Sequence, residues 1–221
     1  MKTVKIISIQ KTTHDVVHIK TEKPTEIDYL PGQAVDVALN TPQMKDELRA
    51  FTFTSLPNDA FLEFYIKIYP EHDGVTKQIA TLKKNDTLLI GDTFGDIMYK
   101  GEGLFLAGGA GITPFLAILK NLEAQNKIGN NKLIFANKTS KDIIENNYFE
   151  RLLKTNFTNV LSEEQNAKMQ YGYITKELIK SNINNKQQFY YLCGPPPMMD
   201  AVLKHLEILG IDKSKIVKEQ F

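Results

Sequence analysis

The sequence predicts two domains: an N-terminal antiparallel β-barrel over residues 1–99 and a C-terminal α/β domain with a parallel sheet over residues 100–221. Three observations carry that prediction. Up to about Met98, short apolar or alternating runs follow one another with very little helix between them, the pattern of a small barrel. Turn groups such as Pro31-Gly32 and Pro57-Asn58-Asp59 separate several of these runs. From Gly103 onward, apolar runs alternate with segments of helical period, which indicates parallel strands with covering helices.

In the first half, strands are expected at Val4–Ile9, Val16–Lys20, Ala34–Leu39, Ala50–Thr54, Leu62–Ile68 and Thr87–Ile90, with one short helix over Thr76–Leu82. In the second half, a strand at Leu104–Ala107 leads into a helix at Pro114–Asn126 and a strand at Lys132–Ala136. A shorter helix at Tyr148–Lys154, a strand ending at Leu161, a helix from Thr175 and a strand at Phe189–Leu192 follow. The prolines Pro195-Pro196-Pro197 neither continue a strand nor enter a helix interior, so a stiff turn is expected there. Met199, Val202, Leu203, Leu206 and Leu209 then have helical spacing, so a helix from Met198 runs until Gly210 ends it. The Asn- and Lys-rich segments 126–132 and 181–188 read as solvated loops.

Composition excludes several functional classes. With 27 Lys and Arg against 26 Asp and Glu, no basic field is available for nucleic acid or an anionic membrane. One cysteine allows neither an internal disulfide nor a cysteine-ligated iron–sulfur cluster within these residues. No apolar run approaches membrane-spanning length, and Met1-Lys2-Thr3-Val4-Lys5 leads into an alternating strand rather than a signal sequence. A soluble, cytoplasmic protein without nucleic-acid or membrane partners is the expectation. His14, His18, His72 and His205 are scattered without metal-ligand spacing, so no metal site is expected.

Two turns of the second half fall where open α/β sheets bind ligands, at the carboxyl ends of strands. One is Cys193-Gly194-Pro195-Pro196-Pro197-Met198, which fixes a thiol beside a rigid backbone. The other is Gly108-Gly109-Ala110-Gly111-Ile112-Thr113-Pro114, whose glycines permit unusual backbone angles and close approach of a ligand. Thr113 fits an N-cap and Pro114 the first helical turn, so free N–H groups there suit a phosphate. The spacing is not Gly-x-Gly-x-x-Gly. In the first half, Arg49-Ala50-Phe51-Thr52 places Arg49 and Phe51 on one strand face. A guanidinium forks onto phosphate, and an aromatic ring lies against a planar heterocycle. Gly74-Val75-Thr76 precedes a short helix and offers N–H groups and a hydroxyl to a second phosphate. Taken singly, each residue has an ordinary reading as core, turn or surface.

Taken together and in this order, these motifs resemble the ferredoxin–NADP reductase superfamily, in particular its short flavodoxin- and ferredoxin-reductase-like members. Arg49-Ala50-Phe51-Thr52 is similar to the family's Arg-x-Tyr/Phe-Ser/Thr flavin motif and Gly74-Val75-Thr76 to its pyrophosphate motif. Gly108 to Pro114 is similar to its nicotinamide-dinucleotide loop, Cys193 to Met198 to its Cys-Gly-Pro-Pro-x-Met motif, and Glu219-Gln220-Phe221 to its acid-x-aromatic ending. The resemblance implies a flavin-binding barrel and an NAD(P)H-binding α/β domain that delivers a hydride to FAD, with FMN as the alternative flavin. It implies that Arg49 neutralises flavin phosphate, Phe51 packs beside the isoalloxazine and Thr52 reaches flavin N5. Gly74, Val75 and Thr76 would hold the flavin pyrophosphate. Gly108, Gly109, Gly111, Thr113, Pro114, Gly194, Pro195 and Met198 would line the nicotinamide nucleotide. Cys193 would shape the approach of the nicotinamide, Glu219 would lie near Thr52 and N5, and Phe221 would cover the flavin until the nicotinamide displaces it.

The run Gly91-Asp92-Thr93-Phe94-Gly95 departs from the family, which often has Gly-Pro before its third barrel glycine. Without cluster-binding cysteines, the electrons are expected to leave for a separate carrier such as flavodoxin or ferredoxin, or for a diffusible acceptor. The alternative is a flavin-binding redox sensor or a non-catalytic docking subunit, which needs neither the Gly108 to Pro114 loop nor the Cys193 turn. Between NADPH and NADH, the segment Asn137-Lys138-Thr139-Ser140-Lys141 leans to NADPH. Its two cations, Lys138 and Lys141, and two hydroxyls suit a 2′-phosphate.

Overall fold

The computed structural model describes residues 1–69, 71, 74–185 and 187–219. Strands β1 (Lys2–Lys11), β2 (Val16–Glu22), β3 (Ala34–Leu39), β4 (Arg49–Thr52), β5 (Phe61–Lys67) and β6 (Thr87–Phe94) form one antiparallel sheet in the order β4-β3-β6-β1-β2-β5. The two edges of that sheet meet just past β4, where the Thr54 N–H donates to the Glu63 carbonyl at 2.8 Å, and the sheet curls into a barrel. Val4, Ile6, Ile19, Val35, Val37, Phe64 and Leu88 fill its interior. Alternation along each strand sends these side chains to one face, and their removal from water drives the closure.

Strand β6 runs beyond its expected end at Ile90 because β3 continues to pair with it, Val35 opposite Thr93 and Ala34 opposite Phe94. Its register against β3 shifts between Val35 and Val37, so the departure Gly91-Asp92 is an irregularity inside a strand rather than a loop. Strand β4 stops at Thr52, short of the expected Thr54, and helix α1 (Val75–Ile79) is shorter than the expected Thr76–Leu82.

The chain passes from the first sheet to the second between Phe94 and Gly103. The second contains β7 (Gly103–Gly108), β8 (Lys132–Asn137), β9 (Phe157–Leu161), β10 (Gln170–Tyr171), β11 (Phe189–Cys193) and β12 (Ile216–Val217), all parallel, in the order β10-β9-β8-β7-β11-β12. Helices α2 (Thr113–Ala124), α3 (Asn146–Leu153), α4 (Lys176–Ser181) and α5 (Pro196–Ile208) connect the strands. From the end of β7 the chain returns to β8 on one side, and from the end of β11 it returns to β12 on the other. That reversal opens a crevice at the carboxyl ends of β7 and β11, the usual ligand position in such sheets.

Helix α5 corrects the expectation of a helix from Met198. It starts at Pro196, because prolines cost nothing in a first turn whose N–H groups have no helical partners. The Pro195 carbonyl accepts from the N–H groups of Met198 and Met199, both at 3.0 Å. At the other end Gly210, with φ of 70°, takes the left-handed conformation. Its N–H reaches Glu207 and that of Ile211 reaches Leu206, which closes the helix.

The two sheets share one core. Val16, Tyr65 and Ile97 lie in the same buried cluster as Phe105, Phe115, Leu119 and Phe135. Among the described residues, no helix is long and apolar enough to cross a membrane.

Candidate active site

The two turns predicted to face a ligand touch each other. A Cβ on Gly111 would lie 2.4 Å from the Cys193 carbonyl oxygen, and one on Gly108 would lie 2.4 Å from Met198 Sδ and 2.9 Å from Pro195 Cδ. A Cβ on Gly194 would lie 3.1 Å from the Gly108 nitrogen. Turn-on-turn packing thus requires glycine at these three positions. Gly109 differs. Its φ is 52°, and nothing lies within 4 Å of where a Cβ would be, so its open side faces free space at the crevice. Thr113 is also corrected: its φ of −60° and ψ of −43° are helical, and its Oγ1 donates to the Ala110 carbonyl at 3.0 Å, bracing the turn instead of capping the helix. Pro114 follows, buried, within the first turn.

Cys193 ends β11 opposite Ala107 and is half-buried. Burial, and secondarily the charge of Glu219, push its thiol up to about 12, so it stays protonated and is no nucleophile at neutral pH. Glu219 itself is held on the barrel. Its carboxylate accepts from the Asp96 N–H at 3.1 Å, and a Cβ on Gly95 would lie 3.3 Å from the other carboxylate oxygen. Gly95 directly follows Phe94, which pairs with Ala34, and Ala34 pairs on its other side with Thr52. Glu219 and Thr52 are thus separated by a single strand. Phe221, expected to cover the flavin, lies outside the described residues, as does Gln220.

On the barrel, Arg49 opens β4 opposite Val37 with its side chain 51% exposed. Its partners are the Leu48 carbonyl at 2.6 Å and the exposed Glu47 at 3.6 Å, both readily exchanged for a phosphate. Phe51 is half-buried with its inner side on the barrel core, and Thr52 is half-buried at the strand end. Gly74 precedes α1 in extended conformation, with nothing within 4 Å of a Cβ position. Val75 is buried in the barrel core and offers a ligand only its backbone, while Thr76 is half-buried. The open side of Gly74, the half-exposed guanidinium and the open side of Gly109 fit a flavin and a second nucleotide.

The sequence foresaw no clustering of the histidines, yet His14, Asp15 and Asp142 come together with ligand atoms within 4.8 Å of one another. Lys67 lies 2.7 Å from Asp15 and 3.9 Å from Asp142 and already supplies the positive charge between them.

Residues 1–134 match the FAD-binding domain family, and residues 105–204 match the oxidoreductase NAD-binding domain family. The toluate 1,2-dioxygenase electron transfer component of Pseudomonas putida is 29% identical over 212 residues, which cover 92% of this chain and 62% of that protein. This chain therefore spans less than two thirds of that relative's length. NADH-cytochrome b5 reductase 1 of Aspergillus terreus is 32% identical over 217 residues, which cover 89% of this chain and 73% of that protein. A ferredoxin NADP+ reductase from Neisseria gonorrhoeae, solved with bound FAD and NADP, has the same fold. Its TM-score is 0.83 at 21% identity, over 95% of this chain and 91% of that one. The chain belongs to the ferredoxin–NADP reductase superfamily.

Its matched regions are an FAD-binding domain and an oxidoreductase NAD-binding domain. The far end of its second sheet holds the segment Asn137 to Lys141 read from the sequence, together with Glu163, Glu164, Tyr171 and Tyr173, which the sequence did not single out. Lys138 is exposed and paired with Glu163 at 3.3 Å. Ser140 donates its N–H and its hydroxyl to one oxygen of Glu164, at 2.8 and 2.9 Å. The Ser140 backbone bond holds the Glu164 carboxyl below the usual range. Thr139 donates its N–H and hydroxyl to Asp142, closing a capping box. Tyr171 and Tyr173 flank Gly172 at 62% and 79% exposure, an unusual display for rings at a sheet edge. Asn137, at the carboxyl end of β8, is buried with neither side-chain amide atom hydrogen-bonded. For the residues the sequence missed, the local signal was the acidic pair Glu163-Glu164, one residue past the end of β9.

Proposed function

We propose that this reductase oxidises NADH through FAD bound on residues 1–99, with the nucleotide held by residues 100–221, and passes the electrons to a separate carrier protein. One observation carries the reading. Glu219 is bonded to the barrel at Asp96 while its charge acts on Cys193, so the ligand turns of the second sheet face the edge of the barrel that carries Thr52. When bound, FAD supplies the acceptor for a nicotinamide hydride and a store that releases electrons onward.

The residues of the chain bind and orient. Arg49 and the first N–H groups of α1, after Gly74, take the flavin phosphates. Phe51 flanks the ring, and the Thr52 hydroxyl is the hydrogen-bonding group for N5. The turn from Gly108 through Thr113 holds the pyrophosphate of the nucleotide, with Gly194, Pro195 and Met198 as its wall. Cys193, protonated, acts by shape, and Glu219 places a carboxylate beside the site. Phe221, two residues past Glu219 in the sequence, is the residue assigned to shield the flavin.

NADH is preferred over NADPH on the charges at the far end. Lys138 and Ser140, the groups that would have welcomed a 2′-phosphate, each already face a carboxylate, and an acidic residue suits a ribose diol. The exposed rings of Tyr171 and Tyr173 offer the adenine a stacking surface. The names of two relatives support a haem protein of the cytochrome b5 kind or a dioxygenase component as the carrier, beside the ferredoxin or flavodoxin expected from the sequence.

Stopped-flow mixing of the flavin-loaded protein with each nucleotide tests the core of this reading. Bleaching of the oxidised flavin band is expected, faster with NADH. A band unchanged by either nucleotide would return the protein to a sensor or docking role. Faster bleaching by NADPH would mean that Glu163 and Glu164 face away from the ribose. Flavin released by heating and identified by chromatography separates FAD from FMN.

A further inference from the structure

The outward face of β5 is largely covered. Glu63, Tyr65 and Lys67 alternate and so share that face, and each is tied to the second half. The Tyr65 hydroxyl donates to Glu145 at 2.7 Å, Lys67 lies 3.9 Å from Asp142, and Lys120 Nζ donates to Glu63 at 2.5 Å. Glu63 is the centre of this contact. It is 5% exposed, and besides Lys120 it meets His18 Nε2 at 2.9 Å, the Thr54 hydroxyl at 3.0 Å and Lys20 at 3.7 Å. Lys120 donates a second bond to the Thr54 carbonyl at 3.0 Å.

Both ends of this bridge lead into the reacting site. Lys120 lies on α2, the helix whose start carries Thr113 and the nucleotide turn, roughly 10 Å away along the axis at 1.5 Å per residue. Thr54 lies two residues past Thr52 on the segment that carries the flavin motif. The apolar cluster between the halves holds them together, but apolar contact is non-directional and does not by itself set their mutual angle. Charge-assisted hydrogen bonds are directional.

We propose that Lys120 is a positioning residue. Its bonds to Glu63 and to the Thr54 carbonyl fix the nucleotide turn against the flavin strand, and so set the approach of the nicotinamide to the flavin. The proposal rests on the hydride-transfer reading given above. A displacement of about 1 Å in such an approach costs on the order of a hundredfold in rate, so a modest slip of α2 on the barrel is enough.

The test uses the flavin-loaded protein, NADH, and stopped-flow measurement of the limiting rate of flavin reduction and of the nucleotide Kd. Lys120→Met is expected to lower the limiting rate by about tenfold or more. Flavin content and visible spectrum should stay at the wild-type level, and Kd should stay within about twofold, because the nucleotide is held by the second half. Lys120→Arg, which keeps the charge and the donors, is expected to recover most of the rate. If Lys120→Met loses its flavin, the double variant Glu63→Gln/Lys120→Met decides, since removing both charges leaves neither one buried and unpaired. It is expected to hold flavin and to remain slow. A wild-type rate in whichever of these variants holds flavin overturns the proposal, as does a slow Lys120→Arg. A wild-type protein whose flavin is not bleached overturns the hydride-transfer reading itself, and the proposal with it.

Discussion

At the scale of single residues, Cys193 illustrates how a reactive group is made inert and kept for its shape. A carboxylate nearby and burial around it both disfavour the thiolate, whose nucleophilicity would otherwise be its main chemistry. Cys193→Ala is therefore expected to keep its flavin and its fold but to reduce that flavin more slowly, by about tenfold to a hundredfold in single-turnover mixing. An unchanged rate would leave the residue a packing element of β11. Arg49 has the opposite character, half-exposed and held only by groups that a phosphate displaces. Arg49→Ala is expected to weaken flavin retention under dialysis, measured as absorbance per protein, with an unchanged far-ultraviolet circular dichroism spectrum. Retention equal to wild type would place the flavin phosphates elsewhere.

At the scale of elements, what was legible in the sequence was what the local chain decides. The apolar runs gave the strands, and the glycines and prolines gave the turns at Gly108 and Cys193, because backbone freedom and stiffness are properties of the residues themselves. What failed depended on distant partners. Strands β10 and β12 have two residues each and exist only because β9 and β11 lie beside them. Strand β5 was legible as a strand, but nothing in its own run tells that Glu63 and Lys67 are covered. The groups that cover them, Lys120 and Asp142, are far along the chain. At the site, the glycine positions were legible while the contact of Gly111 with Cys193 was not, since it joins two turns that are remote in sequence. Tyr65 measures how much this face of β5 contributes. Tyr65→Phe removes the bond to Glu145 while keeping the ring stacked on His18, so a loss of about 1 kcal/mol is expected in urea unfolding. No loss would show that water replaces Glu145 at no cost.

At the scale of the whole molecule, the buried carboxylate of Glu63 links the union of the halves to pH. Burial alone would raise its pKa, yet the bond to His18 and the charge of Lys120 outweigh it and bring it from 4.5 to about 2. A depressed carboxylate stabilises the folded state fully above its unfolded pKa near 4.5, and that contribution is lost as pH falls through about 2. Stability measured by urea midpoint is expected to decline across that acid window. Glu63→Gln, which titrates nowhere, should show a shallower decline, and equal slopes would mean that other carboxylates govern the acid limb. Because Val16 and Tyr65 sit in one core with Phe115 and Phe135, heating is expected to melt both sheets in a single calorimetric transition. Two resolved transitions would show that the barrel survives alone.

The face of β5 also bears on how freely such a chain can be recombined. Barrel and nucleotide domain look like interchangeable cassettes, joined by one crossing of the chain between Phe94 and Gly103. They are not. A grafted barrel without an acid at the position of Glu63 would leave the partly buried Lys120 ammonium without its carboxylate, and one lacking the hydroxyl of Tyr65 would strand Glu145. Any chimaera has to carry Glu63, Tyr65 and Lys67 across with Lys120, Glu145 and Asp142, so the unit of inheritance is the seam rather than either domain.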